Sequence, residues 1–154
     1  MTEETGRYRK IVVPIDGSGW SEAAIPHAVD IAHNNNSEII LLHVFRPPAY
    51  EYMDQIALAG NDDQIQQMRE QIKQHLMGLR SQLRSENVNC RVQFIEGQGV
   101  ANLICDYIND EGVDLVIMTT HGRSGIRQLL FGSTAQKVLH GVKVPVMVVH
   151  PGKD

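Results

Sequence analysis

Apolar residues along the 154-residue chain fall into two spacings, continuous short runs and steps of three or four. Ile11-Val12-Val13-Pro14-Ile15, Ile39-Ile40-Leu41-Leu42-His43-Val44, Leu115-Val116-Ile117-Met118 and Val144-Pro145-Val146-Met147-Val148-Val149 are continuous runs of the length of a buried strand. Val88, Cys90, Val92 and Phe94 instead alternate with Asn89, Arg91 and Gln93, which predicts a strand with one wet face at a sheet edge. Helical spacing fills the gaps. Ala24, Ile25, Ala28, Ile31 and Ala32 predict a first helix that Ser18 or Ser21 can cap, that Pro26 bends, and that His33-Asn34-Asn35-Asn36-Ser37 ends. Ile65, Met68, Ile72, Leu76, Leu79 and Leu83 step by 3, 4, 4, 3 and 4, one apolar stripe on a helix otherwise covered by Gln, Lys, Arg and Glu.

Gly97-Gln98-Gly99 turns into a helix carrying Ala101, Ile104, Cys105 and Ile108, and Glu111-Gly112 stops it. A loop from Thr119 to Gly132 leads to a last helix that starts near Ser133 and ends by Gly141. Phe45 to Asp62 shows no period and is long for a connection, so a lid, a loop or a short helix near Met53–Leu58 all fit it. Strands and helices alternate, and the central strands are apolar on both faces. The expected fold is therefore α/β: an open parallel sheet between two layers of helices, with no internal boundary between residues 10 and 151 and short tails at 1–9 and 152–154.

Composition narrows the function. Fourteen Lys and Arg against 18 Asp and Glu leave a net charge of −4, a poor match to the phosphate backbone of a nucleic acid. No apolar run reaches the ~18 residues of a membrane span. The polar start, Met1 to Arg9, lacks the apolar centre of a signal peptide, and Cys90 and Cys105 make no disulfide framework, so a cytoplasmic protein is expected. None of the seven histidines pairs at the spacing of a helical zinc site. His43 reads as a hydrogen-bonded core residue, and Cys90 and Cys105 as small core residues.

In an open α/β sheet a ligand binds beyond the carboxyl ends of the strands, where the strand order reverses. If the first and fourth strands flank that reversal, Asp16 meets the loop Thr119-Thr120-His121-Gly122-Arg123-Ser124-Gly125, which runs on to Gly132-Ser133-Thr134. Free N–H groups and the dipole of a helix start suit an anion there. Gly122 and Gly132 allow close approach, Arg123 neutralises charge, and the Ser133 and Thr134 hydroxyls reach phosphate oxygens or a bound Mg²⁺. Asp16 is suited to ribose hydroxyls and the strand end near Val44 to a base. Plain turn chemistry with Ser133 as an ordinary N-cap explains the same residues without a ligand. His121 has no placed partner for catalysis.

Taken together, Ile11 to Ser18 with Ser21, Leu41-Leu42-His43-Val44, Gly112 to Met118, Thr120 to Gly125, Gly132-Ser133 and Val144-Pro145-Val146 resemble the universal stress proteins over nearly the whole chain. The likeness is to their UspA-like domain and to its ATP-binding branch. The resemblance implies a Rossmann-like three-layer fold with a five-stranded parallel sheet in the order 3-2-1-4-5, and a homodimer joined through the last strand, Val144–Val149. It implies Ile15 and Val44 at adenine, Asp16 at the ribose, and Thr119, Gly122, Arg123, Gly132, Ser133 and Thr134 at the phosphates, with Pro14, Thr120, His121, Ser124 and Gly125 also in the nucleotide site. The branch's pattern G-x2-G-x9-G-(S/T) fits with Gly122, Gly132 and Ser133, but its first Gly falls on Thr119, a departure that puts a Cβ and a hydroxyl beside the phosphates. The expectation is a stress-response binding module for ATP, or for ADP or AMP, with Mg carried by the phosphates and Ser133 as its candidate protein contact, and with at most slow hydrolysis. The alternative is a dimeric interaction module of the same family that binds no nucleotide. An adenylate-handling transferase is disfavoured, because no HxGH-like motif follows the first strand.

Overall fold

The computed structural model describes residues 6–17, 19–47, 55–120 and 132–151, the side chains of Trp20 and of residues 55–62 excepted. In chain order the elements are β1 (Lys10–Pro14), α1 (Gly19–Glu22), α2 (Ile25–Asn35), β2 (Glu38–Phe45), α3 (Gln55–Ser85), β3 (Asn89–Glu96), α4 (Val100–Asp110), β4 (Leu115–Thr119), α5 (Ser133–Gly141) and β5 (Val146–Val149). The strands form one five-stranded sheet, β3-β2-β1-β4-β5, and every pairing in it is parallel.

Alternation along the central strands divides the core in two. Ile11, Val13, Ile39, Leu41 and Ile117 point to one face, where Ala28 and Ala32 of α2 and Leu76 and Leu83 of α3 cover them. Val12, Ile40, Leu42, Val116 and Met118 point to the other, against Ile104 and Ile108 of α4 and Ala135 and Val138 of α5. That is why those runs are apolar at consecutive positions: each strand buries both faces. At the amino end of the sheet, Asp114 Oδ2 accepts the backbone N–H groups of Arg9 at 2.9 Å and Lys10 at 3.0 Å, tying the start of β1 to that of β4.

Some elements differ from the sequence expectation. The first helix is divided, α1 ending at Glu22 and α2 beginning at Ile25. Pro26 lies in the first turn of α2, where its missing N–H costs no intrahelical bond, so it opens a helix instead of bending one. Asn36 ends α2 in the left-handed conformation, φ 55°, which Asn tolerates better than most residues. The long helix starts at Gln55, ahead of the apolar stripe, so the second half of the aperiodic stretch is helical; residues 48–54 lie outside those described. The outer face of β3 is not wholly wet, because Ile95 packs on the second core. The last strand begins at Val146, but the Pro145 carbonyl still accepts the Val116 N–H at 3.0 Å.

Candidate functional site

Beside β1 the chain crosses to β4, and the two strands end together at Pro14 and Thr119. A cavity of about 390 Å³ opens over those ends. Pro14, Ile15 and Asp16 line it from β1, and Val44 from β2. Thr119 and Thr120 line it from the end of β4, and Gly132, Ser133 and Thr134 from the start of α5. His121, Gly122, Arg123, Ser124 and Gly125 fall outside the described residues.

The α5 end of the cavity is built for an anion. Gly132, not Ser133, occupies the N-cap position, and no side chain among the described residues caps the helix. Ser133 is the first helical residue, so the N-cap explanation of that serine does not apply. The Gly132 N–H donates to the Thr120 carbonyl at 2.8 Å and its own carbonyl accepts the Gln136 N–H at 3.0 Å. The N–H groups of Ser133, Thr134 and Ala135 therefore precede the first intrahelical bond. Thr120 is only 1% exposed, and its Oγ1 has no hydrogen-bond partner among the described residues. Such a group carries a cost unless something polar meets it.

The β1–β2 end is different in character. Leu42 O accepts the Ile15 N–H at 2.8 Å. Parallel strands alternate the direction of their backbone groups, so the Val44 N–H and C=O also face the β1 side, where that strand has already ended. Ser21 Oγ accepts the Asp16 N–H at 3.1 Å, which orders the turn carrying the carboxylate; Ser21 serves this turn and not a helix start. His43 is buried, as expected, and its Nδ1 lies 2.6 Å from the Ile15 carbonyl. A carbonyl only accepts, so Nδ1 carries the proton.

Arg46, Met68, Ile72, Val100 and Ile104 also line the cavity and were not among the expected site residues. Met68 and Ile72 belong to the apolar stripe that reads as core. The contradictory signal is exposure, since Met68 is 40% exposed, and exposure is not written in a periodicity. Burial holds the Cys90 thiol up to about 11, consistent with its reading as an unreactive core residue. Cys105 is only half-buried, against the second core.

A sequence profile described as the Universal stress protein family matches residues 7–150. The chain belongs to that family. Among its relatives is Universal stress protein MJ0577 of Methanocaldococcus jannaschii, 29% identical over 155 residues, covering 92% of this chain and 94% of that one. Another is Universal stress protein A homolog 2 of Coxiella burnetii, 31% identical over 143 residues, covering 92% and 94%. The solved MJ0577 structure superposes with a TM-score of 0.82 at 26% identity, covering 97% of this chain and all of that one. A universal stress protein in complex with cAMP superposes at 0.68, with 22% identity and 94% and 98% coverage. One from Archaeoglobus fulgidus in complex with dAMP superposes at 0.63, with 19% identity and 93% and 98% coverage. In this universal stress protein no helix among the described residues is long and apolar enough to cross a membrane.

Proposed function

We propose that this universal stress protein binds an adenine nucleotide, ATP with Mg²⁺ first and ADP or AMP by the same contacts, as a binding and signalling module of the stress response. One observation carries the proposal. A helix start without a side-chain cap and a buried Thr120 hydroxyl without a partner, both among the described residues, line the same cavity. Together they offer N–H and O–H donors to a phosphate. The Val44 N–H and C=O match the acceptor and donor on the edge of adenine, and Asp16 accepts from ribose hydroxyls. Ser133 adds a hard oxygen at the phosphate end, the donor type Mg²⁺ takes. Family members described as complexes with cAMP and dAMP support the ligand class. Turnover is expected to be slow at most, because Asp16 is the carboxylate lining the cavity among the described residues and is assigned to ribose.

We also infer a homodimer through β5. Its open edge carries Met147, 38% exposed, between half-buried Val146 and Val148, and a second copy would cover that edge.

The test is to denature the purified protein, weigh the released small molecules, and titrate the emptied protein with Mg-ATP in a calorimeter. A stoichiometric adenine nucleotide, or saturable binding lost in Gly132→Val and weakened in Asp16→Ala, supports the proposal. Absence of both nucleotide and binding heat overturns it in favour of an interaction module.

A further inference from the structure

The wall opposite α5 has features that a nucleotide's phosphates do not explain. Met68 and Ile72 stand one turn apart on α3 and both line the cavity, yet Met68 keeps 40% of its surface exposed. Beneath them is a stack of rings. His43 and Phe94 lie 5.8 Å apart with planes at 23°, and Phe45 and Phe94 lie 5.8 Å apart at 24°. Two α3 cations sit over this stack, Arg69 at 5.6 Å from the Phe45 ring and Lys73 at 5.0 Å from the Phe94 ring. Arg69 also forks onto Glu96 at the end of β3, with Nη2 2.6 Å from Oε1 and Nε 3.1 Å from both carboxylate oxygens.

The geometry points to the turn Met68–Ile72 as the outer wall for the flat ring of the ligand, with the Arg69–Glu96 pair as the latch that holds this wall over the cavity. The inference rests on the nucleotide reading and deepens it: it assigns ring affinity and residence time to α3, apart from the phosphate contacts of α5. An uncovered thioether beside an apolar floor is surface that a planar base can cover. The residue next to Met68 is the one clamped to the sheet, so loss of the clamp frees that turn specifically. The pair is partly exposed, with side chains 25% and 38% accessible, so its contribution is modest and sensitive to salt.

The experiment uses the full chain and stopped-flow binding of Mg-ATP, AMP and, as a probe without a ring, Mg-tripolyphosphate. Met68→Ala is expected to weaken ATP and AMP alike by about three- to eightfold, the worth of covering the part of one apolar side chain that is exposed without ligand. Tripolyphosphate affinity should not change. Arg69→Gln and Glu96→Gln should each speed ATP release about two- to fivefold at an unchanged association rate, with the difference from wild type shrinking at high salt. The swapped pair Arg69→Glu with Glu96→Arg should restore slow release, which loss of general packing would not do. If Met68→Ala binds ATP as wild type does while Gly132→Val does not bind, the site is correct and the α3 wall is wrong. If wild type takes up neither ATP nor tripolyphosphate, the nucleotide reading falls and takes this inference with it.

Discussion

Thr120→Val separates ligand binding from stability. Valine keeps the shape of threonine and deletes one hydroxyl. In most buried sites that deletion breaks a hydrogen bond and destabilises the fold. Here the Thr120 Oγ1 is buried and has no partner among the described residues, while the backbone N–H and C=O of Thr120 bond to Val149 and Gly132 and are untouched by the substitution. A buried polar group left unsatisfied costs about 1–3 kcal/mol, so the ligand-free variant should gain up to that amount. For a chain of this length each kcal/mol is worth about 2–4 °C, so the melting temperature should rise by up to roughly 12 °C. With Mg-ATP the sign reverses. A hydrogen bond to a charged phosphate oxygen contributes about 1.5–3 kcal/mol, so affinity should fall by a factor on the order of 10–100. The thermal shift that saturating ATP produces should shrink accordingly. Differential scanning calorimetry with and without nucleotide reads both effects on one sample. A lower melting temperature in the ligand-free variant would mean that the hydroxyl holds the fold together, and an unchanged ATP shift would remove Thr120 from the phosphate site.

Leu76→Ala, at a fully buried position where α3 meets the sheet, should lower stability by about 2–5 kcal/mol in urea unfolding, and a cost below 1 kcal/mol would mean α3 packs more loosely than described. The Cys90 thiol, held by burial above its ordinary 9 at about 11, stays protonated in the folded chain where the unfolded chain has already ionised. Its contribution to stability is therefore whole below pH 9 and is lost as pH rises from 9 towards 11, a step that pH-dependent melting should find in wild type and miss in Cys90→Val. At neutral pH the same thiol should resist alkylation until the chain unfolds. Met147→Glu places a charge on the β5 edge and should shift sedimentation from dimer to monomer without moving the melting temperature of the monomer; a variant that stays dimeric would place the interface elsewhere.

Much of the fold was legible along the chain because two physical periods rarely overlap. Ile11 to Ile15, Ile39 to Val44 and Leu115 to Met118 are apolar at consecutive positions, and only strands buried on both faces require that. The stripe from Ile65 to Leu83 could be nothing but a helix face, and its buried members Leu76 and Leu83 cover the sheet. The start of α3 was not legible, because no apolar stripe marks residues 55 to 62 and helical backbone needs none. Pro26 misled for a related reason: a proline bends a helix from the inside and opens one from the first turn, and the chain does not announce where a turn begins.

At the site, the residue types and their rough positions were written in the sequence. Asp16 after a strand, and Gly132-Ser133-Thr134 at a helix start, are local signals. That Gly132 and not Ser133 takes the N-cap position, and that Thr120 is left with a buried and unmatched hydroxyl, follow from how β4 and α5 meet. Val44 lines the cavity because β1 ends at Pro14 while β2 runs on to Phe45, a difference between two strands far apart in sequence. Met68 and Ile72 joined the cavity for the same kind of reason. A stripe determines which helix face is apolar, but what lies opposite each turn of it is set by packing, and the upper turns of α3 reach past the last covered strand end to the opening of the cavity.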